Sequence, residues 1–157
     1  MTAIGTNRNM GIAGVPTRGR FALVGLTTTI TAIVANALVY FAGRALISYD
    51  PEFIIFQNVS PTIIFTVFPA VIATLLYGFL RRFAARPERT FTIIAAAVLL
   101  ASLVPDLTYI PSVEGASAGQ TTILLLMHVV AAVVIVGMLI SLAPGAGYRQ
   151  SWSSHPV

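Results

Sequence analysis

Four runs of apolar residues, each long enough to form a helix through a lipid bilayer, constrain this chain more than any other feature. The first covers residues 21–47 and is interrupted chiefly by threonines, Asn36, Gly43 and Arg44. At about 1.5 Å per residue a helix of that length is roughly 40 Å long, enough to cross a ~30 Å hydrocarbon core with tilt. The others cover about 62–80, 90–106 and 120–142. Pro69 falls in the middle of the second, where its missing N–H and its ring predict a kink.

Composition bears this out: 57% of the 157 residues are hydrophobic and only 9% charged, against about 25% charged in soluble domains. Mean hydropathy is +0.89. A surface so poor in charge would not stay in water, so lipid is the expected solvent. The length suits one compact domain. Cysteine is absent, which excludes disulfides, thiolate metal sites and a cysteine nucleophile.

The sequence pI near 10.1 invites a nucleic-acid reading, which the charge pattern rejects. All basic residues are arginine, and they flank apolar spans instead of lining a polar face interleaved with aromatics. Their placement predicts topology. Arg8, Arg18, Arg20, Arg81, Arg82, Arg86, Arg89 and Arg149 lie in the two tails and the loop between spans two and three, with Glu88 as the only acid. The other two loops contain Asp50, Glu52, Asp106 and Glu114, with Arg44 just inside one border. Under the positive-inside rule both termini are cytoplasmic. The expected fold is therefore all-α, a four-transmembrane-helix bundle over residues 18–143, with a flexible cytoplasmic tail at 1–17 and a polar cytoplasmic tail at 144–157. Ala35-Asn36-Ala37 resembles a signal-peptide cleavage site, but the apolar run continues past it, which favours an uncleaved span.

Polar side chains inside lipid are costly unless paired, so each asks for a reason. Asn36, Tyr40 and Arg44 are spaced four apart and share one stripe of the first helix; Ser102 and Asp106 form a similar stripe on the third. His128 lies roughly 12 Å below the start of the fourth. All six belong to the outer half of the bundle. One expectation is an outward-facing polar pocket, with an Arg44–Asp106 ion pair at its mouth and Asn36 and His128 at its floor. The plainer expectation is that Asn36 and His128 hydrogen-bond across helices as packing contacts, each contributing ~0.6–2 kcal/mol.

Smaller features have local explanations. Ala97 with Ala101, and Ala95 with Leu99, predict a small-residue face for close helix contact. Thr27, Thr28, Thr29 and Thr31 can satisfy their hydroxyls on carbonyls of the preceding turn. Tyr40, Tyr49, Tyr77 and Tyr109 lie near predicted borders, as an aromatic belt would. Phe53-Ile54-Ile55-Phe56 is expected to rest among headgroups. Asn58-Val59-Ser60 matches a glycosylation acceptor, although Pro61 follows.

No catalytic or cofactor pattern accompanies these features. His128 and the tail residue His155 cannot together ligate a haem, no cluster has metal spacing, and no phosphate-binding glycine loop occurs. No enzyme activity, cofactor or metal is therefore expected. Four-helix drug exporters are similar in size but depend on a glutamate in the first helix, and here that helix has no acid.

Asn36-Ala37-Leu38-Val39-Tyr40, Gly43-Arg44, the proline-bearing second helix, Ser102-Leu103-Val104-Pro105-Asp106 and Met127-His128-Val129-Val130-Ala131 carry a family likeness. Over about residues 20–142 the chain resembles four-helix bacterial membrane proteins of actinobacterial type, known only as a domain of unknown function. The resemblance implies a fold and a plasma-membrane location but no catalytic roles. The expected function is a small non-enzymatic membrane protein, either an accessory or structural subunit or a binder of a lipid-like ligand. Its partners would be membrane lipids, a homo-oligomer or a larger membrane complex. The alternative is a small transporter or permease-like protein using the outer polar residues.

Overall fold

The computed structural model describes residues 18–144, and of Arg18 the backbone alone; the tails at 1–17 and 145–157, with Arg8, Arg149, Trp152 and His155, lie outside the described residues. The described chain is all-helical, without strands: α1 Arg18–Leu46, α2 Ser60–Phe83, α3 Pro87–Thr108 and α4 Ala118–Leu142, with a 3-10 turn at Ile110–Ser112 before α4. All four are long and apolar enough to cross a membrane. Most helices extend beyond their apolar runs, because polar flanks continue a helix once its apolar part has nucleated it. Prolines sit in the first turns of α2 and α3, where a missing N–H costs nothing. Ser117 caps α4, its hydroxyl accepting from the Gln120 N–H and donating to Gln120 Oε1. α2 runs unbroken through Pro69, and α3 runs through Pro105 in its last turn.

The helices are arranged in chain order around the bundle. α1 packs most extensively on α4 and α2, α3 packs on α4 and α2, and α1 and α3 stand diagonally opposite. Close approach depends on glycine at two seams. A Cβ at Gly25 would meet Thr74 of α2, and one at Gly43 would meet Ile123 of α4 and the Tyr49 hydroxyl. Ala97 and Ala101, expected at a helix contact, instead face outward. α3 is the most peripheral helix, so that face meets no neighbour.

Two buried clusters fill the interior. One, toward the end that carries Arg20, Arg81, Arg82, Arg86 and Arg89, includes Ala70, Tyr77, Phe91, Ile135 and Leu139. There Arg81 lies over the Phe21 ring, 5.2 Å from its centroid. The other, toward the opposite or loop end, includes Tyr40, Phe53, Phe56, Ile110 and Met127. The outward faces are dense in exposed Leu, Ile, Val and Phe. Water would not tolerate such apolar area on a monomer.

The loop end corrects two expectations. Phe53 and Phe56 do not rest among headgroups: both are buried, closing the end of the bundle, while Ile54 is 65% exposed. Their rings pack edge to face at 5.4 Å, and Phe56 stacks on Tyr49 at 4.5 Å. The loop before α4 locks this plug in place. Gly115 has φ +73°, and a Cβ there would come within 2.6 Å of the Phe53 nitrogen. Nor do the tyrosines form a belt as a set. Tyr40 and Tyr77 are core residues whose hydroxyls donate to the carbonyls of Phe56 and Ala143, at 3.1 and 3.2 Å; Tyr109 alone of the four is largely exposed.

Candidate functional site

The polar residues of α1 separate into two environments. Tyr40 belongs to the loop-end plug, and its hydroxyl also receives a long 3.4 Å hydrogen bond from Arg44. Tyr49 donates to the Tyr40 carbonyl at 2.8 Å; burial, and secondarily Tyr40 itself, pushes the Tyr49 phenol up to about 12. Asn36, one turn deeper than Tyr40, points instead toward α2, where Nδ2 donates to Thr66 Oγ1 at 2.9 Å.

The expected Arg44–Asp106 pair does not form. Arg44 is exposed and turned to Tyr40, whereas Asp106 meets His128 of α4. His128 Nδ1 lies 3.0 Å from Asp106 Oδ2 and also 3.0 Å from the Leu124 carbonyl oxygen. One ring N–H cannot point at both. The carbonyl takes the hydrogen bond, and Oδ2 keeps a close electrostatic contact without a hydrogen-bond partner. Because a carbonyl can only accept, Nδ1 carries the hydrogen.

Asn36, Ser102 and His128 then converge on one feature, an elongated cleft of about 400 Å³ among α2, α3 and α4. Tyr40, Arg44 and Asp106 do not line it. Thr62, Thr66 and Met127 join the three polar residues toward the loop end; Leu76, Phe91, Ile135 and Val136 line it toward the arginine end. Pro69 forms part of the α2 wall, and Phe65, Phe68 and Val98 at the α2–α3 opening are exposed. The cleft therefore opens sideways, toward the surface that lipid would cover, and not toward the end of the bundle.

Thr66 is the residue that sequence reasoning missed. It was one hydroxyl among several in apolar helices, and only the α1–α2 packing shows that it receives Asn36. Thr27, Thr29 and Thr31 bond to preceding-turn carbonyls as expected, but Thr28 is fully buried with its hydroxyl unpartnered. Asn58, in the glycosylation-like triplet, uses Oδ1 to accept the Ser60 N–H at 2.9 Å, an Asx turn just ahead of α2. Among the described residues no three His, Asp or Glu side chains gather as a metal site would need. Ser102 Oγ donates to the Leu99 carbonyl at 2.7 Å, which leaves it unactivated by His128.

Residues 16–144, most of the chain, match a family model described as "Family of unknown function (DUF6069)", and the chain belongs to that family. The match covers the whole helical bundle. No curated protein and no solved structure matches the chain.

Proposed function

We propose, with membership of a family of unknown function as the premise, that this chain is a non-enzymatic integral membrane protein that holds a lipid-like molecule in its lateral cleft. It spans the bacterial plasma membrane four times, with both termini cytoplasmic. The observation that carries this reading is the cleft: apolar over most of its length, polar toward one end, and open where a membrane-dissolved molecule would enter. Its volume of about 400 Å³ falls within the range of roughly 300–1,000 Å³ typical of small-molecule sites. Arginine placement supports the orientation, since the loop joining α2 and α3 carries Arg86 beside Arg81, Arg82 and Arg89. Membrane lipids surround the exposed faces, and a homo-oligomer or larger membrane complex is the natural protein partner.

Native mass spectrometry after gentle extraction tests the binding. The expected result is a retained lipid-like adduct, lost in Ala132→Phe, which fills the cleft. An adduct-free protein, or one whose adduct survives that substitution, overturns the reading. Because the chain has no cysteine, single Arg86→Cys and Glu114→Cys variants test orientation. Membrane-impermeant thiol reagents added to intact cells should label the second and not the first.

A second reading, proton-linked transport, is favoured by the Asp106–His128 contact between two apolar spans. It requires that reconstituted protein dissipate an imposed pH gradient, and that Asp106→Asn abolish the leak.

A further inference from the structure

We infer that the cleft selects a single-tailed lipid whose small head carries a hydroxyl donor, received by Asn36 Oδ1 near the bilayer midplane; this rests on the lipid-binding reading above. The hydrogen-bond chain sets the orientation of the amide. Thr66 Oγ1 donates its one hydrogen to the Thr62 carbonyl at 2.7 Å. It can therefore only accept from Asn36, so the nitrogen of the amide faces Thr66. That leaves Oδ1 buried and without a partner, on a residue that is 5% exposed and lines the cleft, so that a small turn of the amide would present it to a bound molecule. An unsatisfied buried acceptor is destabilising, and a ligand O–H would relieve it.

A neighbouring group on α3 has the same polarity. The hydroxyl hydrogen of Ser102 is committed to the Leu99 carbonyl, so its oxygen can only accept. A ketone or ester head would meet acceptors facing acceptors. An alcohol or phenol would find partners.

Depth and size narrow the class further. Asn36 and His128 each lie ten residues from the loop-end terminus of their helices. That is about 15 Å, half of a ~30 Å hydrocarbon core. A phospholipid headgroup would bring charge to that depth at high cost, whereas one hydroxyl can be satisfied there. Along α3 the cleft runs from Ser102 to Phe91, about 16 Å and thus one leaflet deep. That length, in so small a volume, suits one chain and not two.

The test compares dodecanol with dodecyl methyl ether, which keeps the oxygen and loses the donor, by thermal-shift titration of the full chain in lipid nanodiscs. The alcohol should bind about tenfold more tightly, the effect of about one well-placed hydrogen bond. Asn36→Leu should shrink that ratio several-fold while ether binding persists. If Asn36→Leu fails to fold, Thr66→Val serves instead: it frees the amide to turn an N–H toward the cleft, and the ratio should shrink. Equal binding of alcohol and ether by the native chain overturns the inference, as does a ratio unchanged in the folded variants. Should both probes bind equally and both be excluded by Ala132→Phe, the donor inference falls and lipid binding stands. Should neither bind, or Ala132→Phe change nothing, the lipid-binding reading itself falls.

Discussion

His128 Nδ1 lies 3.0 Å from Asp106 Oδ2, so that an imidazole on α4 and a carboxyl on α3 meet between two apolar spans. The contact is asymmetric: the Asp106 side chain is 8% exposed and the His128 side chain 37%. Removing the partner therefore strands the more buried group, the arrangement in which losing one member costs more than losing both.

That asymmetry predicts the outcome of a double-mutant cycle. His128→Leu should destabilise the bundle by about 1–3 kcal/mol, since Asp106 is left unpaired. His128→Leu combined with Asp106→Leu should recover at least half of that loss. Thermal unfolding in detergent measures both, and a double variant less stable than either single one contradicts the prediction.

The glycine seams predict a contrast within one residue type. Gly43→Val places side-chain atoms against Ile123 and the Tyr49 hydroxyl and should cost about 1–3 kcal/mol by overpacking. Gly137 has open space where a Cβ would go. Gly137→Ala should therefore be neutral, or stabilise by up to about 1 kcal/mol through helix propensity. Melting temperatures of the two variants provide the comparison.

The aromatic plug predicts which loop residues matter. Phe53→Ala removes a fully buried ring and should cost about 3–5 kcal/mol. Ile54→Ala, at an exposed neighbour, should cost under about 0.5 kcal/mol. Limited proteolysis of the loop between α1 and α2 should accelerate in the first variant alone.

Tyr49 predicts a loss of stability in alkali. Its folded-state pKa of about 12 lies above the ordinary value of 10.0, so between those values the folded chain binds more protons than the unfolded one. The stability it contributes is complete below about pH 10 and falls as pH rises through the folded-state value. Tyr49→Phe should flatten that decline while lowering stability at neutral pH, because the bond to the Tyr40 carbonyl is gone. Unfolding measured from neutral pH to about pH 11 distinguishes the two chains.

Much of the site was legible as a list and not as a geometry. Asn36, Ser102 and His128 stood out because polar groups are rare in apolar runs, and all three line the cleft. Arg44 and Asp106 stood out for the same reason, yet their charges find different partners. Opposite signs at the same end of a bundle do not specify adjacency, and here α1 and α3 are diagonal. Thr66 carried no signal and Tyr77 read only as a belt residue, because a hydroxyl in an apolar helix reads the same whether it bonds its own turn or a neighbour.

The sequence by itself determined four long apolar helices, the gathering of arginine at one end, and the absence of cysteine chemistry. These are properties of composition and period, which local sequence carries completely. Tertiary structure alone decided the order of the helices, the inward turn of Phe53 and Phe56, the pairing of Asp106 with His128, and the sideways opening of the cleft. The reason is that nearly every face of these helices is apolar. With little difference between outward-facing and core-facing residues, hydrophobic pattern cannot choose a packing, and close fit at Gly25 and Gly43 together with a few buried hydrogen bonds must do so.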